Sequence, residues 1–274
     1  MEWMIIYKWS LVIVYAILLY LYARHFIVGS QKLNRILSNA LGLTLVFHLS
    51  YLIFLTRTMG HVPFSNVFEM MTSYVFIFVL IYFVIELRIQ DKSLGVIIIL
   101  IAWLTQIVSN IFIDITKSPA EVLAHLSFYE WHVFAMVLAY SGFTISFISS
   151  LMYVLLSREI QKKKLGFFFS RLPSLELMDR LSNMAVAIGV SFITIGIILG
   201  IIMASKVWGA KWPFDPKLIA VFITWLIYVV FIYFRNFRDW QGNRAAVLSI
   251  FGFVWIVISV ILFSTIFSGI HSFI

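Results

Sequence analysis

The chain has 274 residues, of which 62% are hydrophobic and only 12% charged, about half the ~25% charge of a soluble domain. With a mean hydropathy of +1.03, it carries too few charges to cover a soluble core and too much apolar surface to stay disordered, which leaves a polytopic membrane protein. Twenty Lys and Arg against twelve Asp and Glu give a net charge of +8, which in a membrane protein speaks of topology and not of nucleic acid; the lack of cysteine excludes disulfides, thiolate metal sites and thiol nucleophiles.

In chain order, apolar runs broken by short polar stretches predict spans near 4–23, 36–56, 66–86, 94–113, 129–156, 183–205, 218–234 and 244–267. Each reaches the ~17–25 residues that a bilayer requires, and the fifth is long enough to tilt or protrude. Runs such as Val96–Ile101 lack the polar alternation of a membrane β-strand. The first span is followed by Arg24-His25-Phe26 without a small-residue cleavage site, so it reads as a retained helix and not a signal peptide. The whole of 1–274 is thus expected to be a single all-α, multi-pass membrane domain of eight transmembrane helices.

The cations orient these spans. Arg24, Lys32, Arg35, Arg88, Lys92, Arg158, Lys162, Lys163, Lys164, Arg171, Arg180, Arg235, Arg238 and Arg244, fourteen in all, fall on one side, and Lys8, Arg57, Lys117, Lys206, Lys211 and Lys217 on the other. The positive-inside rule makes the richer side cytoplasmic, with both termini on the outer face. The longest inner segment, the basic loop 157–182 with its run Gln161-Lys162-Lys163-Lys164, reads as a stop-transfer signal that anchors on anionic lipid.

The outer side gathers chemically able groups. His61, His125, His132 and His271 fall at or near it, as does the loop 206–217, Lys-Val-Trp-Gly-Ala-Lys-Trp-Pro-Phe-Asp-Pro-Lys. Pro213 and Pro216 stiffen that loop against helix formation. Trp and Lys at an interface can be no more than an aromatic belt, yet a two-proline loop that collects Trp208, Trp212 and Phe214 beside Asp215 also suits a flat, apolar, anionic ligand. Rings stack on it, cations pair with carboxylates at its rim, and neutral imidazoles ligate a central metal. That description fits heme. His132, in Glu130-Trp131-His132, and His271, in Gly269-Ile270-His271-Ser272-Phe273, flank the loop in sequence and form a candidate axial pair. His125 follows a helix-start pattern, Ser118-Pro119-Ala120-Glu121, and is expected to be an exposed bystander, as is His61. His48 lies inside the second span, roughly 13 Å below its outer end at ~1.5 Å per residue; it is a functional candidate because ionisable groups are costly in a membrane, or a histidine bonded to a neighbouring helix. Glu69, one turn into the third span, is either a satisfied acid near a helix N-terminus or an orienter of a bound group.

These residues resemble a known family. From about Gly42 to the C-terminus the chain is similar to the cytochrome c assembly family of heme-handling membrane proteins with a Trp-Trp-Asp loop, in its CcsA/ResC branch. Gly60-His61-Val62-Pro63-Phe64-Ser65-Asn66-Val67-Phe68-Glu69 resembles the G-H-x-P-x-S-N-x-x-E element. Trp131-His132-Val133 with Ala139-Tyr140 resembles the first external histidine segment. Residues 208–217 with Thr224-Trp225-Leu226-Ile227-Tyr228 resemble the loop and following helix. Trp240-Gln241-Gly242 with Arg244-Ala245-Ala246 resembles the last inner turn, and Gly269-Ile270-His271-Ser272-Phe273 the terminal G-L-H-S-Y.

The resemblance implies a heme path. Heme b, bound in transit as substrate, would be held at the outer face by His132 and His271 as axial ligands, on a platform of Trp208, Trp212, Phe214 and Asp215. Apocytochrome c would bring the thiols that add to the heme vinyls, in keeping with a chain that has none. A second membrane subunit and a thiol-reducing protein would complete the complex, so the chain would be a component of a cytochrome c synthase and not a self-sufficient catalyst. The pattern departs from the family at Lys211, Pro213, Phe214 and Leu218. It also departs at Tyr233, which stands near the inner end of the seventh span where the branch usually has a histidine; His48 is the alternative intramembrane ligand. A HemX-like membrane regulator of tetrapyrrole synthesis is the other function these features allow, and a transporter of heme or another small molecule a third.

Overall fold

The computed structural model describes residues 2–29, 31–113, 128–163, 166–208 and 216–265. Among these, eight helices are long and apolar enough to cross a membrane, which makes the chain an all-α, multi-pass membrane protein. It divides into two compact units, 1–124 and 125–274.

The first unit contains α1 (Glu2–Val28), α2 (Gln31–Met59), α3 (Val67–Ile89) and α4 (Gly95–Phe112). Each packs on two others, α1 on α2 and α4, α3 on α2 and α4, which closes an antiparallel ring. Gly60, at φ 75°, ends α2 in the left-handed conformation that a side chain would resist. Asn66 then starts α3 by accepting the N–H groups of Phe68 and Glu69, two of the donors that a helix N-terminus leaves unpaired. The polarity of the ring is that of a lipid-facing bundle. On α2, Leu43 and Val46 are about 70% exposed at 71% and 67%, whereas Thr44, His48 and Tyr51 are buried. Hydrocarbon meets the apolar faces, and polar groups turn to one another inside.

The second unit contains α5 (Tyr129–Gln161), the short α6 (Phe167–Arg171), α7 (Leu175–Trp208), α8 (Pro216–Phe237) and α9 (Asn243–Thr265). Its ring runs α5–α7–α8–α9 and back to α5. α5 and α7 approach closely where a side chain is missing: a Cβ on Gly142 would stand 2.8 Å from the Ala185 carbonyl oxygen. Such small-residue approaches bring helices together in a membrane, where burial of apolar surface gives no drive. Buried serines knit the same region: Ser146 bonds Ser182 at 2.8 Å and Ser249 at 2.7 Å, and Ser150 bonds Ser182 at 2.9 Å. Phe143 stacks on Tyr228 at 3.8 Å between centroids.

Helix ends reach past the apolar runs. The stretch 157–182, read from sequence as a loop, carries the end of α5, all of α6 and the start of α7. Hydropathy reports only the part of a helix that meets hydrocarbon, while the ends are set by caps; at α7 the Ser174 hydroxyl accepts the Leu177 N–H after Pro173. α5 and α7 have 33 and 34 residues, about 50 Å at ~1.5 Å per residue, against a hydrocarbon core of about 30 Å.

Candidate functional site

In the second unit, His132 occupies the first turn of α5, its N–H bonded to the carbonyl of Phe128 at 2.9 Å. Its ring is seated on α7. The Nδ1 atom lies 2.8 Å from the carbonyl oxygen of Gly196. A carbonyl only accepts, so Nδ1 carries the proton and Nε2 keeps its lone pair. Among the described residues no hydrogen bond reaches Nε2. This is the arrangement of a ligating histidine, in which one nitrogen is held by the protein and the other is basic and open. Trp208 closes α7, two helical turns and about 12 Å beyond Gly200 along the axis. Trp212, Phe214, Asp215 and His271 lie outside the described residues, as does His125.

In the first unit, the Gly60–Glu69 element folds upon its own acid. The Glu69 carboxylate accepts the Ser65 N–H at 2.9 Å and the Asn66 side-chain amide at 2.6 Å, and meets His61 Nε2 at 3.3 Å. His61 Nδ1 in turn donates to the Met59 carbonyl at 3.1 Å. Since Nδ1 holds a proton there, the contact between Nε2 and the carboxylate needs a second proton, carried by the imidazole or by the acid. His61 is therefore no exposed bystander: it is tied to Glu69, and the motif reads as a self-contained turn. Asn66 completes it by capping α3, and Ser73 fastens it by donating to the Pro63 carbonyl at 3.0 Å.

His48 is fully buried and bonded on both sides, to the Tyr15 hydroxyl at 2.9 Å and to Thr72 Oγ1 at 3.1 Å. Thr72 donates to Gln106 Oε1 at 3.0 Å, Gln106 donates to Asn110 Oδ1 at 2.9 Å, and Asn110 donates to the Lys8 carbonyl. Because the Thr72 proton is spent on Gln106, His48 must donate from Nε2 and accept the Tyr15 proton at Nδ1. The chain of donors therefore runs one way, through α1, α2, α3, α4 and back to α1. An iron at His48 would require one of its two bonds to open.

Tyr233 is half exposed on α8, stacked on Phe237 at 5.3 Å between centroids and edge-on to Phe234 at 5.6 Å. Nearby is a constellation that the sequence reading did not single out. Asp179 of α7 accepts both arms of the Arg235 guanidinium, at 3.0 and 2.6 Å, and the Gly242 N–H at 3.0 Å. Gly242 also packs on Tyr153 of α5. The available signal was an acid, Asp179, within a stretch of net positive charge and an arginine just past an apolar run. Among the described residues no group of three or more His, Asp and Glu is placed to hold a metal ion.

Comparison with known proteins places these observations. A family model described as Cytochrome C assembly protein matches residues 64–271. A cytochrome c biogenesis protein CcsA of Mesostigma viride is 28% identical over 236 residues, covering 78% of this chain and 77% of its own length. That of Guillardia theta is 29% identical over 234 residues, with the same coverage. That of Porphyra purpurea is 25% identical over 285 residues, covering 90% of this chain and 88% of its own length.

Proposed function

The chain belongs to the cytochrome c assembly protein family, and from that premise we propose that it is a heme-handling membrane subunit of cytochrome c biogenesis that presents heme at the outer face for thioether attachment. The observation that carries this reading is His132, its Nδ1 held by the Gly196 carbonyl and its Nε2 without a hydrogen bond among the described residues, the form in which a histidine ligates heme iron.

In this reading His132 and His271 take the two axial positions, and Trp208, Trp212, Phe214 and Asp215 of the external loop 206–217 hold the tetrapyrrole by stacking and by one polar contact. Lys206, Lys211 and Lys217 pair with the propionates. Heme b is substrate in transit. Apocytochrome c supplies the thiols that add to the vinyl groups, since this chain has no cysteine, while a thiol-reducing protein keeps them reduced and a second membrane subunit completes the complex. Both termini face outward and the basic segment 157–182 faces the cytoplasm, in a bacterial cytoplasmic membrane. Glu69 shapes the turn that precedes α3. His48 and Tyr233 are not needed as ligands here, because His48 has both nitrogens engaged and Tyr233 is stacked among aromatics.

The test is the heme spectrum of the purified chain beside His132→Ala and His271→Ala. Six-coordinate heme in the wild type and altered or lost heme in both variants is expected; heme that is absent from the wild type, or unchanged in both variants, overturns the reading. Tyr233, in place of a ligating group, favours a second reading: a regulator of tetrapyrrole synthesis that binds heme but attaches none. It expects the same spectra with no effect of either variant on cytochrome c maturation in cells.

A further inference from the structure

The contact between α5 and α7 is a ladder of large side chains seated on glycines. A Cβ on Gly189 would meet the Phe143 ring, one on Gly196 would meet Met136 Sδ, and one on Gly200 would meet the His132 ring. Along α5 these large residues are seven and then four positions apart, and along α7 the glycines are seven and then four apart in the opposite direction. That is the register of two antiparallel helices in continuous contact, with i, i+7 and i+11 on one face. His132 is the outermost rung. The Gly196-Ile197-Ile198-Leu199-Gly200 spacing is the small-xxx-small pattern by which membrane helices approach, and here the approach seats an imidazole.

From this we infer that Gly196 and Gly200 are positioning residues for His132: the Gly196 carbonyl fixes the imidazole proton on Nδ1, and the bare Cα of Gly200 makes room for the ring, so that Nε2 is presented with a free lone pair. A Cβ on Gly200 would lie 3.0 Å from Cε1 and 3.2 Å from Nδ1, but 4.0 Å from Nε2. The ring edge that faces α7 is therefore the one that holds the hydrogen bond, and Nε2 is the atom turned away. An added methyl is tighter than ordinary van der Waals contact with that edge, so the ring must shift by a few tenths of an ångström, at the edge that carries its bond to the Gly196 carbonyl. The inference rests on His132 being a heme ligand, and it adds what makes this histidine, unlike His48 with both nitrogens bonded, fit to be one.

Two measurements test it on the full chain in lipid nanodiscs. The first is ¹⁵N NMR of the histidine-labelled protein without heme, with His132 assigned by comparison with His132→Gln. The expected result is a neutral ring protonated at Nδ1, and protonation at Nε2 would overturn the inference whatever the variants do. The second is titration with hemin of the wild type, Gly200→Ala, Gly200→Val and His132→Ala, each first shown to be monodisperse by size exclusion. Losing the support of a ligating histidine typically lowers affinity 10–100-fold. Gly200→Ala is expected to weaken hemin binding about tenfold, Gly200→Val more, with a shift from a low-spin to a high-spin spectrum. If His132→Ala loses hemin and Gly200→Val keeps wild-type affinity and spectrum, positioning by Gly200 is refuted while the ligand assignment stands. If His132→Ala itself binds like the wild type, the ligand assignment fails and takes the inference with it.

Discussion

The Asp179–Arg235 pair allows a quantitative test of how the second unit is held together. Asp179 lies in the second turn of α7, Arg235 near the end of α8, and Gly242 just before α9. The carboxylate accepts three hydrogen bonds, two of them from the guanidinium. The side chains are 13% and 17% exposed, between a surface pair, worth about 0–1 kcal/mol, and a fully buried pair, whose rupture costs about 3–5 kcal/mol. A hydrogen bond to a charged group contributes about 1.5–3 kcal/mol net of the exchange with water, and the bonds of one carboxylate do not simply add. Asp179→Ala and Arg235→Ala should each destabilise by about 3 kcal/mol, and the double variant by about 4, a coupling of about 2 kcal/mol or roughly 30-fold in the unfolding equilibrium. Asp179→Asn, which keeps an acceptor for the Gly242 N–H but not the charge, should fall between wild type and Asp179→Ala. The assay is equilibrium unfolding in mixed micelles with rising SDS fraction, followed by tryptophan fluorescence. A coupling below about 0.5 kcal/mol would refute the clamp as a unit and reduce it to two independent contacts.

Two further outcomes follow from local geometry. Gly142→Ala places a methyl 2.8 Å from the backbone oxygen of Ala185 and 3.2 Å from the Gly189 nitrogen, neither of which can swing aside; forcing α5 and α7 apart should cost about 1–3 kcal/mol in the same unfolding assay, and an unchanged midpoint would contradict the close approach. Asn66→Asp should be more damaging than Asn66→Ala, although aspartate is as good an N-cap as asparagine. The Asn66 amide donates to Glu69 at 2.6 Å, and its replacement sets two carboxylates face to face, so Asp measured as the milder change would show that this contact is not part of the turn.

How much of this was legible in the amino-acid order depends on how far each partner lies along the chain. The Gly60–Glu69 element is nearly all local: Asn66 caps the helix three residues before Glu69, and Ser65 is four away, so its pattern announces a helix start. Yet the same reading set His61 aside as exposed, because nothing in its immediate neighbours says that the chain turns back far enough for it to meet Glu69. The start of α7 was missed for a different reason. Charged residues such as Glu176, Asp179 and Arg180 interrupt the apolar run without interrupting the helix, which continues as far as its cap at Ser174.

The sequence by itself determined the class of the molecule, its eight spans and the asymmetry of its cations, because bilayer thickness and the cost of burying charge act on composition and run length alone. It also picked out the histidines as chemically able. Only the tertiary structure decided which of the described ones are spoken for. His48 receives its partners from α1 and α3, 33 and 24 residues away, and both its nitrogens are consumed. His132 receives one carbonyl from α7, 64 residues away, and among the described residues nothing bonds its other nitrogen. An imidazole offers the same two nitrogens wherever it stands. What distinguishes a structural histidine from one fit to ligate is how many of them neighbouring helices occupy, and that is set by helix packing and register.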